Sequence, residues 1–288
     1  MSRFLVVSLN PTFQLIMGYQ KVVEGEVNRT QSWRTEFSGK GLNVSRALAK
    51  LGNDVTLLTH INPTRTQELR TQADAEGFSV CLVEDPSQVR TCVTVLQDRI
   101  RRGMSTTELV QESPKIIGKD TEANVVRSFT QLTKDADCVI ITGTRSPGYS
   151  SDLYPKMVQM AKEDGCFVIL DVKRTDLTGS LKYSPDVIKP NLEELVQTFG
   201  ACSDPVELIE SLPCKAVITN GSNGCFIHVP GQELEHLDAL RVQSRNTTGC
   251  GDAFTAAMAD SLMRGSSLLD ACQAGTRAGA FKAQEEPF

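Results

Sequence analysis

The sequence predicts an α/β fold with a mainly parallel central sheet and helices on both faces. Apolar runs of strand length at 138–142, 167–171 and 187–189 each stop at a glycine or polar residue. Helical periodicity occupies 122–133 and 151–164, so strand and helix alternate regularly from residue 137. With 288 residues the chain is long enough to bury a full core. In such sheets ligands gather at the carboxyl ends of strands. Residues 143–148, Asp171, Lys189 and Asn191 fall there.

Taken in order, residues 4–9 read as a buried strand ended by Asn10-Pro11. Residues 21–37 carry β-branched and charged residues in weak alternation, which suggests a half-exposed ribbon outside the core. Ser38-Gly39-Lys40-Gly41 is a glycine turn opening a helix to about Leu51. Val44, Ala47, Leu48 and Leu51 form its apolar face, and Gly52 supplies the stop. Lys40 at this helix start draws an anion through its charge and the helix dipole, a reading favoured over a solvated lysine on a tight turn. Strands are expected at 54–59 and 80–83 with a helix at 66–75 between them. Residues 90–96 alternate as β, and Arg90 either reaches a substrate phosphate or joins an exposed ion pair.

Asn191 and Glu194 after Pro190 form a capping box, and both also suit a hydrated magnesium ion beside a triphosphate. Residues 216–219 and 225–228 read as strands joined by Asn220-Gly221-Ser222-Asn223-Gly224. That turn is either a plain hairpin or a place where a nucleotide nears the backbone.

The stretch that organises the rest is Asn246-Thr247-Thr248-Gly249-Cys250-Gly251-Asp252, followed by a small-residue helix to about Met263. The two threonines are helix-start signals. The amides of Gly249, Cys250 and Gly251 are expected to face one hollow at the positive end of the helix dipole, which suits a phosphoryl oxygen. Asp252 beside it repels phosphate, yet is placed to take a proton from an attacking hydroxyl. An ordinary acidic first turn explains the same residue.

Composition narrows the partners. A net charge of −5 and the lack of a basic run argue against nucleic acid, and no apolar stretch is long enough for a membrane span. The N-terminus has an apolar core too short for a signal peptide. Nine scattered cysteines with no C-x-x-C suggest reduced thiols in a cytoplasmic protein. His60, His228 and His236 do not cluster, which disfavours a histidine metal site or a Ser-His-Asp triad. Cys250 beside helix amides is a candidate for a lowered thiol pKa, although an inert small residue is the favoured account. The two-stranded ribbon suggests a homodimer, since such pieces rarely stay unpaired.

The usual nucleotide fingerprints are missing. Present in order are Ser-Leu-Asn-Pro at 8–11, Glu26-Val27-Asn28-Arg29, Ser38 to Asn43, Val89-Arg90-Thr91, Thr107-Glu108-Leu109 and Gln111-Glu112-Ser113-Pro114. Ile188 to Leu195 and Thr247 to Asp252 follow. Over nearly its whole length the chain resembles the ribokinase-like (PfkB) carbohydrate kinases, most nearly the 1-phosphofructokinase and tagatose-6-phosphate kinase branch. The resemblance implies a three-layer sandwich as one domain over 1–288, with lid strands inserted at about 12–37 and 88–110. It implies an ATP- and Mg²⁺-dependent kinase acting on a ketohexose phosphate, with Asp252 as general base and Gly249, Cys250 and Gly251 as the anion hole. Lys189, Asn191 and Glu194 would serve the triphosphate and its magnesium, the last two through water, while Thr219, Gly221 and Gly224 line the nucleotide site. Gly39, Lys40, Asn43 and Arg90 would hold the sugar phosphate.

Departures from the family pattern lie mainly on the acceptor side. Gln14 stands where the family usually has Asp, and Ser38 replaces a glycine. Gly143-Thr144-Arg145-Ser146-Pro147-Gly148 brings Arg145 to the expected ligand edge, and the usual glycine pair is missing at His60-Ile61-Asn62-Pro63. Cys250 replaces a small residue. Acceptor identity is therefore open. A kinase for another sugar, or a sugar-phosphate-binding protein with weakened catalysis, is the alternative. Compared with the family, the chain is expected to lack a terminal helix after residues 284–288.

Overall fold

A computed structural model describes residues 1–99, 103–200, 204–245 and 247–285. Asn246 of the glycine motif and the last three residues of the 284–288 segment lie outside these. In chain order the elements begin with β1 (Arg3–Val7), β2 (Thr12–Tyr19), β3 (Ser32–Ser38), α1 (Lys40–Lys50), β4 (Asp54–Ile61), α2 (Thr66–Glu76) and β5 (Ser79–Glu84). Next come β6 (Arg90–Arg99), β7 (Gly103–Val110), α3 (Thr121–Leu132), β8 (Cys138–Thr142), α4 (Leu153–Glu163), β9 (Phe167–Asp171), α5 (Thr175–Leu181) and β10 (Val187–Ile188). The chain continues through α6 (Leu192–Phe199), α7 (Pro205–Glu210), β11 (Lys215–Thr219), β12 (Cys225–His228), β13 (Glu235–Leu237), α8 (Cys250–Met263) and α9 (Leu268–Gln284).

The large sheet runs β13-β12-β11-β10-β9-β8-β1-β4-β5. It is parallel from β11 to β5, with β12 and β13 antiparallel at one edge. Alternation along each strand splits the core into two layers. Leu5, Val7, Val139, Ile141, Val168 and Leu170 pack with Phe129, Tyr154, Met157 and Leu195 on one face. Phe4, Val6, Cys138, Ile140, Ile169 and Val217 pack with Leu42, Leu48, Phe254 and Met258 on the other. This is the three-layer α/β sandwich the sequence predicts. No helix among the described residues is long and apolar enough to cross a membrane.

A second sheet, β3-β2-β6-β7, is built from two inserted hairpins. Here one expectation needs correction. The ribbon at 21–37 is not continuous: β2 begins directly after Pro11, residues 20–31 form no strand, and β3 starts at Ser32. Both faces of β2 are at least partly covered, so its sequence lacks the polar–apolar alternation of a half-exposed strand. Helix α9, which the pattern reading leaves unassigned, is capped by Ser267 accepting from the Asp270 amide at 3.1 Å.

Close packing of α1 sets up the site. A Cβ on Gly41 would overlap that of Ser8, at the carboxyl end of β1. Only glycine lets the helix start approach so near, which brings Lys40 and Asn43 over the strand ends.

Candidate active site

A cavity of about 630 Å³ opens at the carboxyl ends of the parallel strands, beneath the small sheet. It gathers Gln14, Gly39, Lys40, Asn43 and Arg90 from the first third of the chain. Opposite these lie Lys189, Asn191, Glu194, Thr219, Gly249, Gly251 and Asp252. A neighbouring cavity of about 570 Å³ shares Asn191, Thr219 and Gly251, and adds Gly221, Gly224 and Cys250. All the residues expected from the sequence therefore converge, with one exception.

Asp252 lies in the first turn of α8 and is 7% exposed. Asn43 Nδ2 donates to its Oδ2 at 2.7 Å. Burial pushes its carboxyl up to about 6, and Asp171 adds to the rise, while the Asn43 bond and the Lys40 and Lys189 charges oppose it. Gly249 takes the left-handed conformation (φ 80°) at the N-cap, so a glycine, rather than either threonine, turns the chain into α8. The expected three-amide hollow is reduced. Cys250 N–H is already bonded to Thr247 O at 3.3 Å, whereas the amides of Gly249 and Gly251 have no partner among the described residues.

Cys250 fits the inert small residue rather than the activated thiol. Burial raises its thiol pKa above the ordinary value; Lys282 and a backbone hydrogen bond pull it down, but do not offset the desolvation. A thiol so shielded stays protonated at neutral pH.

The floor of the cavity is a lysine–carboxylate cluster. Lys40 Nζ lies 3.1 Å from Asp171 Oδ1 and 3.4 Å from Glu194 Oε1, and Lys189 Nζ lies 3.6 Å from Asp171 Oδ2. Burial alone would lower the Lys40 pKa, but the carboxylates of Asp171, Glu194 and Asp252 outweigh it and hold it above its ordinary value. Burial likewise would raise Asp171, and Lys189 and Lys40 overcome that to keep it low. Asp171 is the residue to which sequence reasoning gave no role. Its signal was an acid closing the buried strand Phe167-Val168-Ile169-Leu170.

Asn191 and Glu194 form the complete capping box, with the Glu194 amide donating to Asn191 Oδ1 at 2.7 Å and the Asn191 amide to Glu194 Oε2 at 3.2 Å. Glu194 nevertheless faces the cavity. Among the described residues no group of three or more acidic, histidine or cysteine side chains is arranged to hold a metal. A partly buried Glu194 beside an open cavity, with Asp171 and Asp252 already engaged by Lys40, Lys189 and Asn43, makes no all-protein cage. It does suit a hydrated Mg²⁺, which takes most ligands from water and phosphate.

Arg90 Nε donates to Thr12 Oγ1 at 2.7 Å, and no carboxylate among the described residues pairs with it. It borders both the main cavity and a smaller one of about 140 Å³ with Lys40, Thr144 and Lys173. Gln14 donates its amide to Thr94 Oγ1. Arg145 is the exception to convergence. It turns away from the cleft, pairing through Nε with Asp176 Oδ1 at 2.8 Å and through Nη1 with Tyr149 O at 3.0 Å. The partner comes from α5, so the guanidinium ties a loop to a helix and borders neither cleft cavity.

A buried carboxylate beside helix-start amides that have no partner among the described residues shares its cavity with Arg90, and such a lining suits an anionic ligand. The chain belongs to the pfkB family of carbohydrate kinases, whose family model matches residues 6–286. Among solved structures it is similar to Escherichia coli phosphofructokinase-2 in its tetrameric inhibited form, at 22% identity and TM-score 0.85, covering 98% of this chain and 94% of that one. The same enzyme in complex with fructose-6-phosphate matches at 21% identity and TM-score 0.84, covering 98% and 94%. A Thermotoga maritima chain described as a possible 1-phosphofructokinase matches at 20% identity and TM-score 0.87, covering 99% and 93%. The fold is that of a sugar kinase.

Proposed function

We propose that this chain is a single-domain kinase transferring the γ-phosphoryl group of ATP to a hydroxyl of a ketohexose phosphate, of the fructose 1-phosphate or tagatose 6-phosphate type. The observation that carries the reading is Asp252: a buried carboxylate with a pKa of about 6, held by Asn43 beside the amides of Gly249 and Gly251, which have no partner among the described residues. Ionised at neutral pH, it accepts the proton of the attacking hydroxyl as the new P–O bond forms and the bond from the γ-phosphorus to the bridging oxygen breaks. The two amides and the helix dipole stabilise charge on the migrating phosphoryl group. Lys189, Thr219, Gly221 and Gly224 are assigned to the nucleotide. Glu194, with Asn191, would hold Mg²⁺ through water, and the ion, when bound, neutralises triphosphate charge. The small sheet acts as a lid that excludes water and so limits wasteful ATP hydrolysis.

Arg90, with Gly39, Lys40 and Asn43 nearby, is assigned to the phosphate already on the acceptor. Arg90→Gln is expected to raise KM for a phosphorylated acceptor about 10- to 100-fold with little change in kcat, the mark of an interaction made equally in ground and transition states. Steady-state kinetics on the variant checks this. An unchanged KM would move the acceptor phosphate elsewhere.

Gln14 supports a second reading, a sugar-phosphate-binding protein with weakened turnover, because its amide is spent on Thr94 and brings no charge. Sugar-stimulated ATP turnover, compared with Asp252→Asn, separates the two.

Self-association is also proposed. Pairing registers put Leu15, Met17, Trp33, Val93, Val95 and Leu109 on one face of the small sheet. Trp33 is 60% and Leu109 58% exposed, so the patch presents aromatic and aliphatic surface to a second copy. Sedimentation is expected to give a dimer that Trp33→Asp splits. A monomer at every concentration would contradict it.

A further inference from the structure

A second cavity, of about 340 Å³, adjoins the candidate active site and shares Gln14, Ser38, Asn43, Thr248 and Gly249 with it. Its walls are coherent helix faces. From α1 and its C-cap come Asn43, Arg46, Ala47, Lys50 and Leu51, and from α9 and its C-cap Ala278, Phe281, Lys282 and Glu285, both at three- and four-residue spacing. Ala253 and Ala257 of α8 form a floor too small to fill the gap between them. Gln14, Ile16, Arg34, Glu36 and Thr94, which share one face of the small sheet, make the roof.

Its chemistry is amphipathic. The floor is alanine with Ile16, Leu51 and Phe281 at the sides, whereas Arg34, Arg46, Lys50 and Lys282 outnumber Glu36 and Glu285. Arg46 is committed to Glu76 at 3.1 Å and to Asn43 Oδ1 at 3.1 Å, and Lys282 to Glu285 at 2.5 Å. Lys50 has no ion pair among the described residues, and Arg34 is only 3.7 Å from Glu36. The rim therefore offers positive charge beside an apolar floor. The size is that of a small-molecule site. Asn43 in its wall donates directly to Asp252, and Arg46 donates to Asn43 in turn.

We infer that this cavity is a second binding site, for a small organic acid with an aryl or short acyl body. The body rests on the alanine floor and the anionic group meets Lys50 and Arg34. The nucleotide assigned above occupies the other side of α8, so this site is filled independently of ATP.

The test uses 8-anilinonaphthalene-1-sulfonate as the probe, titrated against the full chain and followed by fluorescence. Saturable binding of one equivalent is expected, unchanged by saturating ATP. Ala278→Phe, which fills the cavity, is expected to weaken it about tenfold or more. Lys50→Glu, a charge reversal on an exposed side chain, is expected to weaken it several-fold and decides the matter should Ala278→Phe not fold. No saturable binding, displacement of the dye by ATP, or unchanged affinity in Lys50→Glu and in a natively folded Ala278→Phe would each overturn the assignment. None of these readouts requires turnover, so a failure of the kinase reading is separately visible.

Discussion

Asp252→Asn is expected to slow phosphoryl transfer about 10²–10⁴-fold, the range for loss of a general base, and at the same time to stabilise the fold above pH 6. The carboxyl has a pKa of about 6 in the folded chain against an ordinary 3.8, raised chiefly by burial. A group raised in this way contributes its full stability below the unfolded pKa and loses it as pH rises through the folded one. At neutral pH the parent therefore carries a buried charge costing about 3 kcal/mol relative to acid conditions. Asparagine removes that cost while keeping a group that can bond to Asn43. Urea unfolding of parent and variant at pH 4 and pH 7.5 checks it: the two should converge in acid, with the variant ahead at pH 7.5. Site carboxylates held under such strain commonly trade stability for activity. A variant destabilised at pH 7.5 would show that the ionised carboxylate is held favourably, against the account of its raised pKa.

Lys189→Met is expected to be the most destabilising single change in the cleft. Lys189 is 3% and Asp171 1% exposed, and removing one member of a buried pair typically costs about 3–5 kcal/mol. Lys40 stays within 3.1 Å of Asp171 and sets the loss toward the lower end. The pH dependence has the opposite sense to that of Asp252. Asp171 is held below its ordinary pKa, so its stabilisation is present above the unfolded value and disappears as pH falls. The penalty in Lys189→Met should thus be greatest at neutral pH and shrink in acid, as measured by denaturant midpoints across that range. An equal loss at all pH values would mean that the methionine disturbs packing rather than charge.

These contrasts indicate what a linear sequence carries. The glycine motif before Asp252 was legible because a helix start with two glycines has a strong local signature, and the capping box at Asn191 and Glu194 is local too. Central strands were legible since burial on both faces forces apolar runs. Arg145 was misplaced because its partner Asp176 lies 31 residues on, in a short helix with no strong periodicity, and only the fold brings the two together. The two readings of Cys250 stayed open for a similar reason: helix amides are visible in the sequence, whereas desolvation depends on how α8 is packed. Strand β2 escapes the pattern reading for lack of alternation and enters only through the family resemblance, and Asp171 received no role because its two lysine partners come from distant segments.

The central claim is that Asp252 and the amides of Gly249 and Gly251 beside it serve transfer of phosphate to a sugar phosphate. ADP release from ATP and Mg²⁺ should be measured with fructose 1-phosphate, tagatose 6-phosphate and fructose 6-phosphate, in parallel for the parent and Asp252→Asn. At least one sugar is predicted to stimulate release in the parent and not in the variant. If none raises the parent above the variant, the kinase account is contradicted.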